Sequence, residues 1–303
     1  MNTSKQNIAH FAAMLIMGLM LSSQGFAAES ALPKKSEPQS QASKSVQAEV
    51  NKNTADTAAE KRKELIADAH TAIVETEKAL QALEDKKTKE ALEALAIATG
   101  KLELVLARNP KLELAPVNTE VVMFDLLTNR DTVKAVLKKA KSYLRDNEIQ
   151  KARPLIANLA SEIQYRTTNI PLLTYPAAIK AITPLIDAGK IDEAKAELQA
   201  TLNTLVITTE IVPLPKVRAE EMLKEAQSLA EKKNRSKEES DKFARNIQGA
   251  RDQLEMAELL GYGNKKDYKP MYEQLDEIAN KTANGNSGAN WFDKIKKQLS
   301  NLI

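Results

Sequence analysis

No cysteine occurs anywhere in the 303 residues. That excludes disulfides, thiol redox chemistry, zinc ribbons, cysteine nucleophiles and a lipid-modified cysteine at a processing site. Histidine is almost as scarce, with only His10 and His70. Histidine triads and clusters of imidazole metal ligands therefore cannot be assembled. Nine glycines are few for this length, and no glycine-rich phosphate loop is present. Gly261-Tyr262-Gly263-Asn264 has neither a preceding strand nor a suitably spaced lysine. Aromatic residues make up 4% of the chain, too few for a sugar cleft between two carboxylates or for base stacking. Lysine and arginine total 44 against 41 acidic residues, with no one-sign stripe of the kind nucleic acid requires. The carboxylate pairs Glu75/Glu77, Asp192/Glu193 and Glu238/Glu239 read as solvated helix faces. No catalytic residue, cofactor site or metal site emerges, and the expectation is a protein that is not an enzyme.

The N-terminus carries an address. A polar start with Lys5 precedes an apolar run from Ile8 to Leu21 and a small-residue stretch ending at Ala27. That order predicts a signal peptide over residues 1–27, cleaved between Ala27 and Ala28, and a periplasmic mature chain. The run falls short of the roughly 20 apolar residues that a bilayer span needs. Residues 28–57 hold Ser, Gln, Lys, Ala and Asn with few large aliphatics, so a disordered leader is expected there.

Beyond it, alanine, leucine, lysine and glutamate recur with a helical period. Helices are expected at 58–85, 89–107, 131–145, 148–166, 176–188, 191–207, 216–233, 237–260, 268–283 and 288–301. Ser236 with Glu239 forms a capping box, Asn147 with Gln150 resembles another, and Gly189 and Gly261 stand where helices end. Pro184 should break or kink its helix.

Ala91, Ala152 and Ala194 anchor an internal repeat. Eight residues before them stand Leu83, Leu144 and Ile186; four after come Leu95, Ile156 and Leu198; nineteen after come Pro110, Pro171 and Pro213. The unit is a helical hairpin packed through its alanine and leaving through a proline, with an insertion, Leu114 to Thr128, after the first copy. β-branched residues cluster before Pro171 and Pro213 and at Glu120–Phe124, where short β segments are expected. The fold class is mainly all-α: a bundle of helical hairpins at 58–235, followed by C-terminal helices at 236–303 whose last member follows a glycine-rich hinge.

Several of these residues carry a resemblance. Asp187-Ala188-Gly189-Lys190-Ile191-Asp192-Glu193-Ala194, Ile170-Pro171-Leu172, Val212-Pro213-Leu214, Tyr175-Pro176-Ala177-Ala178-Ile179 and Ala226-Gln227-Ser228-Leu229-Ala230 together resemble the YfdX family over roughly 60–235. The resemblance implies an exported, mainly helical, stress-associated bacterial protein with no established enzymatic activity and no catalytic residues to carry over.

The remaining candidates are surfaces. His70 is a candidate pH-responsive group, since histidine titrates near neutrality. Tyr262, Tyr268 and Tyr272 are expected to pack the last two helices onto the bundle, since tyrosine buries readily with its hydroxyl wet, with a partner surface as the alternative. Phe243, Ile247, Ala250, Leu254 and Ala257 follow a coiled-coil seam over two heptads. Trp291, Phe292, Ile295, Leu299 and Leu302 against Lys294, Lys296 and Lys297 make a basic amphipathic helix, expected as a mobile docking helix, with weak membrane-surface contact by 288–303 as the alternative. The expected function is protein–protein contact, with other proteins or with itself, chaperone-like or self-assembling and linked to stress. A small-molecule or lipid site lined by the proline exits is the alternative. No nucleic acid, transmembrane span or cofactor is expected.

Overall fold

A computed structural model describes residues 40–302; the expected signal peptide at 1–27, its cleavage between Ala27 and Ala28, and residues 28–39 of the expected leader lie outside them. Among the described residues the fold is mainly helical, with one small sheet. In chain order α1 is Gln41–Lys63, α2 Ala67–Glu84, α3 Thr88–Arg108, β1 Leu114–Phe124, α4 Arg130–Arg145, α5 Ile149–Ala157 and β2 Glu162–Pro171. Then come α6 Tyr175–Asp187, α7 Ile191–Leu202, β3 Val206–Pro213, α8 Leu214–Ala230, α9 Lys237–Leu260, α10 Lys265–Thr282 and α11 Asp293–Ser300.

The middle of the chain is therefore a unit of helix, helix and strand used three times: α2–α3–β1, α4–α5–β2 and α6–α7–β3. The strands form one antiparallel sheet in the order β1-β2-β3. Residues 114–128, expected as an insertion, contain the first copy's strand. The proline correspondence is only partly structural. Pro171 ends β2 and Pro213 ends β3, but Pro110 lies exposed in a turn before β1. α3 runs on to Arg108, whereas α5 and α7 stop much sooner after their anchors. Pro110 thus falls at a helix end.

Two apolar cores flank the sheet. One gathers α2, α3, α6 and α7 with Ala115, Val117 and Ile170 of the sheet. The other joins α1, α8, α9, α10 and α11 to Ile163 and Tyr165 of β2. A boundary expected at 235 falls inside this second core. The coiled-coil seam of α9 is buried there, with Phe243, Ile247, Ala250, Leu254 and Ala257 all inside.

Residues 41–57, expected as disordered leader, belong to α1. Its inward stripe is Ser43, Val46, Val50, Thr54 and Ala58, small and half polar, so no apolar period marks it in the sequence. Packing supplies what propensity does not. Gly249 on α9 has no Cβ; one placed there would lie 2.7 Å from the Ala42 Cβ and 2.8 Å from the Met222 Sδ.

The last helix is docked. Phe292, Ile295, Leu299 and Leu302 are all buried, so the apolar face is spent on the core, as a docking helix requires, and is not left for a membrane surface. Its lysines point outward. The preceding segment is tied down, with the Gly288 N–H donating to the Ala230 carbonyl at 3.1 Å and Arg235 to the Asn286 carbonyl at 2.7 Å. Among the described residues no helix is long and apolar enough to cross a membrane. α6 continues through Pro184 to Asp187, at the cost of the i→i−4 bond that an N–H at this position would have made. The helix expected from 58 breaks at residues 64–66, where the Ile66 N–H donates to the Pro116 carbonyl of β1 at 2.9 Å.

Candidate functional site: the uncovered face of the second hairpin

The three hairpin turns share one hydrogen-bond pattern. Lys86, Asn147 and Gly189 stand five residues before the anchors with φ of 60°, 59° and 71°. Each following N–H reaches back around the turn: Lys87 to the Ala82 carbonyl at 2.8 Å, Glu148 to Tyr143 at 2.8 Å and Lys190 to Leu185 at 2.9 Å. A left-handed residue with this bond is the Schellman ending of a helix. Asn147 is therefore the left-handed end of α4; Glu148 caps α5, and no capping box forms at that start. Ala91, Ala152 and Ala194 are fully buried just after these turns.

Equivalent turns present equivalent faces, yet the faces meet different fates. The first and third hairpins pack together, α2 on α7 and α3 on α6. Leu83, Leu95, Ile186 and Leu198 are buried between them. In the second hairpin the same two positions are Leu144, 45% exposed, and Ile156, 46% exposed. Ile149, counterpart of the partly buried Ile191, is 60% exposed. The hairpin is held to the body where Val133, Val136, Ala140 and Leu155 are buried and α4 meets α9; Leu144 and Ile156 lie further along the same two helices, uncovered. Arg130, the first residue of α4, bonds Asp252 at 3.3 Å and pairs with Glu255, both on α9.

Charge surrounds this uncovered face unevenly. Arg130–Ala157 contains eight basic and three acidic residues, whereas the whole chain has a net charge of +3. Lys139 and Lys151 lie 5.8 and 5.7 Å from the Tyr143 ring centroid. The arrangement is an apolar centre with a basic rim, the anatomy of a protein-binding patch.

The other candidates serve packing or lie apart. His70 is exposed on the first turn of α2. Burial raises the Glu77 carboxyl above the usual range, and the charge of His70 opposes that rise. Tyr268 is fully buried, and Tyr262 and Tyr272 pack against the same core. Tyr262 donates to Glu162 at 2.6 Å, Tyr268 to the Tyr262 carbonyl, and Tyr272 to Glu258 at 2.7 Å. The tyrosines thus tie α9 and α10 to β2, and the partner surface given as the alternative is largely internal. The proline exits are filled by Ile170, Leu172 and Leu214, all buried.

One polar site had no signal in the sequence. Arg218, almost wholly buried, donates to both Asp125 oxygens at 2.9 and 2.7 Å and to the Gln47 carbonyl oxygen at 2.9 Å. It lines a cleft of about 300 Å³ with Ser43, Thr128, Arg130, Ser161 and Gln253. Its partners are 93 and 171 residues away in sequence, so no local spacing reveals them. Among the described residues no group of three or more histidine or carboxylate side chains is placed to hold a metal.

The family model described as YfdX protein matches residues 72–211. This stretch belongs to the YfdX family. It opens within α2 and closes within β3, so the YfdX region coincides with the three helix–helix–strand units. Helices α1 and α8 to α11 lie outside the matched residues. A solved structure of YfdX from Salmonella Typhi is similar at 14% identity and a TM-score of 0.34. The match covers 50% of this chain and 93% of that one. No curated protein matches the sequence.

Proposed function

We propose that this YfdX-family chain has no enzymatic chemistry and acts in the periplasm by protein–protein contact, through the outer face of α4–α5. One observation carries the reading: Leu144 and Ile156 are exposed where the repeat's two other copies bury the same positions against each other. A folding requirement would have the second copy covered like its siblings, since large aliphatics left in water forgo about 1.5–3 kcal/mol each. The partner is a protein surface with apolar side chains at its centre and carboxylates around them, matching the basic rim. The signal-like segment at 1–27 supports the compartment. The family resemblance supports a stress-linked role, chaperone-like or self-assembling.

The test is a photo-crosslinker placed at Leu144 or Ile156 in intact cells. Discrete protein adducts should form there and not at Val74, a comparably exposed residue on α2. Equal adduct patterns at all three positions, or none, would defeat the reading.

A further inference from the structure

The turn after α8 and the segment between α10 and α11 meet in a cleft of about 760 Å³, within the range of small-molecule sites. Lys233, Asn234, Asn280, Lys281, Ser287 and Trp291 line it. All six lie outside the residues that match the YfdX family.

The walls of the cleft are fastened from behind. Arg235 donates from Nη1 to the Leu229 and Ala230 carbonyls at 3.2 and 3.1 Å and from Nη2 to the Asn286 carbonyl at 2.7 Å. That side chain clips the end of α8 to the segment after α10. Asn234 and Gly285 turn the chain with φ of 56° and 79°, the left-handed region that asparagine and glycine enter most readily. The Trp291 indole lies so close against Gly288 that a Cβ there would overlap the ring. Packing thus sets the ring, which stays half-buried at the wall of the cleft.

The lining is unbalanced in charge and rich in idle hydrogen-bonding groups. Two lysines line it and no carboxylate does. Lys281 pairs with Glu277 at 2.6 Å. The Lys233 ammonium, the Asn234 and Asn280 amides, the Ser287 hydroxyl and the Trp291 Nε1–H bond to no other group among the described residues. We propose that this cleft binds an acidic sugar, a pyranose that carries a carboxylate. The negative face of the indole meets the C–H face of the ring. A primary amide sets a donor and an acceptor side by side, as two adjacent hydroxyls do. Lys233 and Lys281 take the carboxylate through charge-assisted hydrogen bonds. A neutral sugar would leave the lysines without that partner, and a bare anion would leave the indole and the amides unused. The cleft is separate from the α4–α5 face, so its failure leaves the proposed function standing.

Trp291 is the chain's only tryptophan, so its fluorescence reports this site in the unlabelled full chain. Glucuronic, galacturonic and N-acetylmuramic acids are titrated beside glucose, galactose and N-acetylglucosamine, their counterparts without a carboxylate, and acetate supplies the bare charge. At least one acid should change the emission saturably and bind about tenfold or more tighter than its counterpart. Acetate should give no saturable change. Lys233→Gln and Lys281→Gln replace exposed side chains and should each weaken the acid several-fold at an unchanged thermal midpoint. Asn280→Ala should weaken acid and neutral sugar alike. Three acids that leave the emission unchanged and show no saturation transfer by NMR overturn the inference. So do acids that bind no better than their counterparts, an acetate response equal to theirs, or an affinity that both lysine variants leave untouched. If a lysine variant misfolds, the contrast between acid and neutral sugar on the wild type decides.

Discussion

The Tyr262 hydroxyl donates to Glu162 at 2.6 Å and accepts from the Ser161 N–H at 3.0 Å, fastening the end of α9 to the start of β2. Both contacts disappear in Tyr262→Phe, which keeps the ring and its packing. Glu162 and Ser161 are buried, so their groups would lose a partner without gaining free access to water. The expected loss is about 1–3 kcal/mol, read as a lower denaturation midpoint at unchanged slope. An unchanged midpoint would show that water replaces the hydroxyl at no cost.

Alkali should unfold the protein steeply. Burial raises the Tyr175 hydroxyl to about 12, with the Thr76 hydroxyl tempering the rise and the Glu77 charge adding to it. Burial also raises Tyr262, Tyr268 and Tyr272, with Glu162 reinforcing the first and Glu258 the other two. An unfolded tyrosine ionises near 10. Between that value and the folded ones the native state holds the extra protons, so stability is complete below about pH 10 and falls as pH rises. Phenolate absorbance should therefore appear for these four tyrosines together with loss of helix. Smooth ionisation while the helix persists would contradict their burial.

Gly249→Ala sets two effects against each other. Alanine gains up to about 1 kcal/mol in helix propensity over glycine. A Cβ at 2.7 Å from the Ala42 Cβ cannot be relieved by rotating a flexible chain end, and overpacking costs about 1–3 kcal/mol. The clash should win. Thermal stability should fall, with proteolysis reaching α1 first. A stabilised variant would mean that α1 is not seated on α9.

The legible parts of the fold are those set by short-range chemistry. Ser236 and Glu239 form both bonds of the capping box, α9 spans Lys237–Leu260 as its period predicts, and Gly261 ends it with φ of 83°. The strands are legible as β-branched runs before Pro171 and Pro213, but the helical period runs on into them. Residues such as Ile163 keep an aliphatic spacing that fits either structure. α1 is hidden because Ser43, Thr54 and Ala58 make an inward stripe that only α8 and α9 render apolar. The candidate site is half legible. The anchors align Leu144 and Ile156 with Leu83 and Leu95, but nothing local says which copy of a repeat its siblings will leave uncovered.

Changing Leu144 and Ile156 together to glutamate tests the central claim most directly. Exposed side chains at near 45% accessibility should cost the fold under about 1 kcal/mol when replaced, so the melting temperature should hardly move. Carboxylates at the centre of the face should abolish the adducts formed by a photo-crosslinker at the neighbouring Ile149. Adducts lost with the fold intact are the predicted result. Adducts retained at wild-type yield, or a protein that unfolds because the face was packed after all, would contradict it.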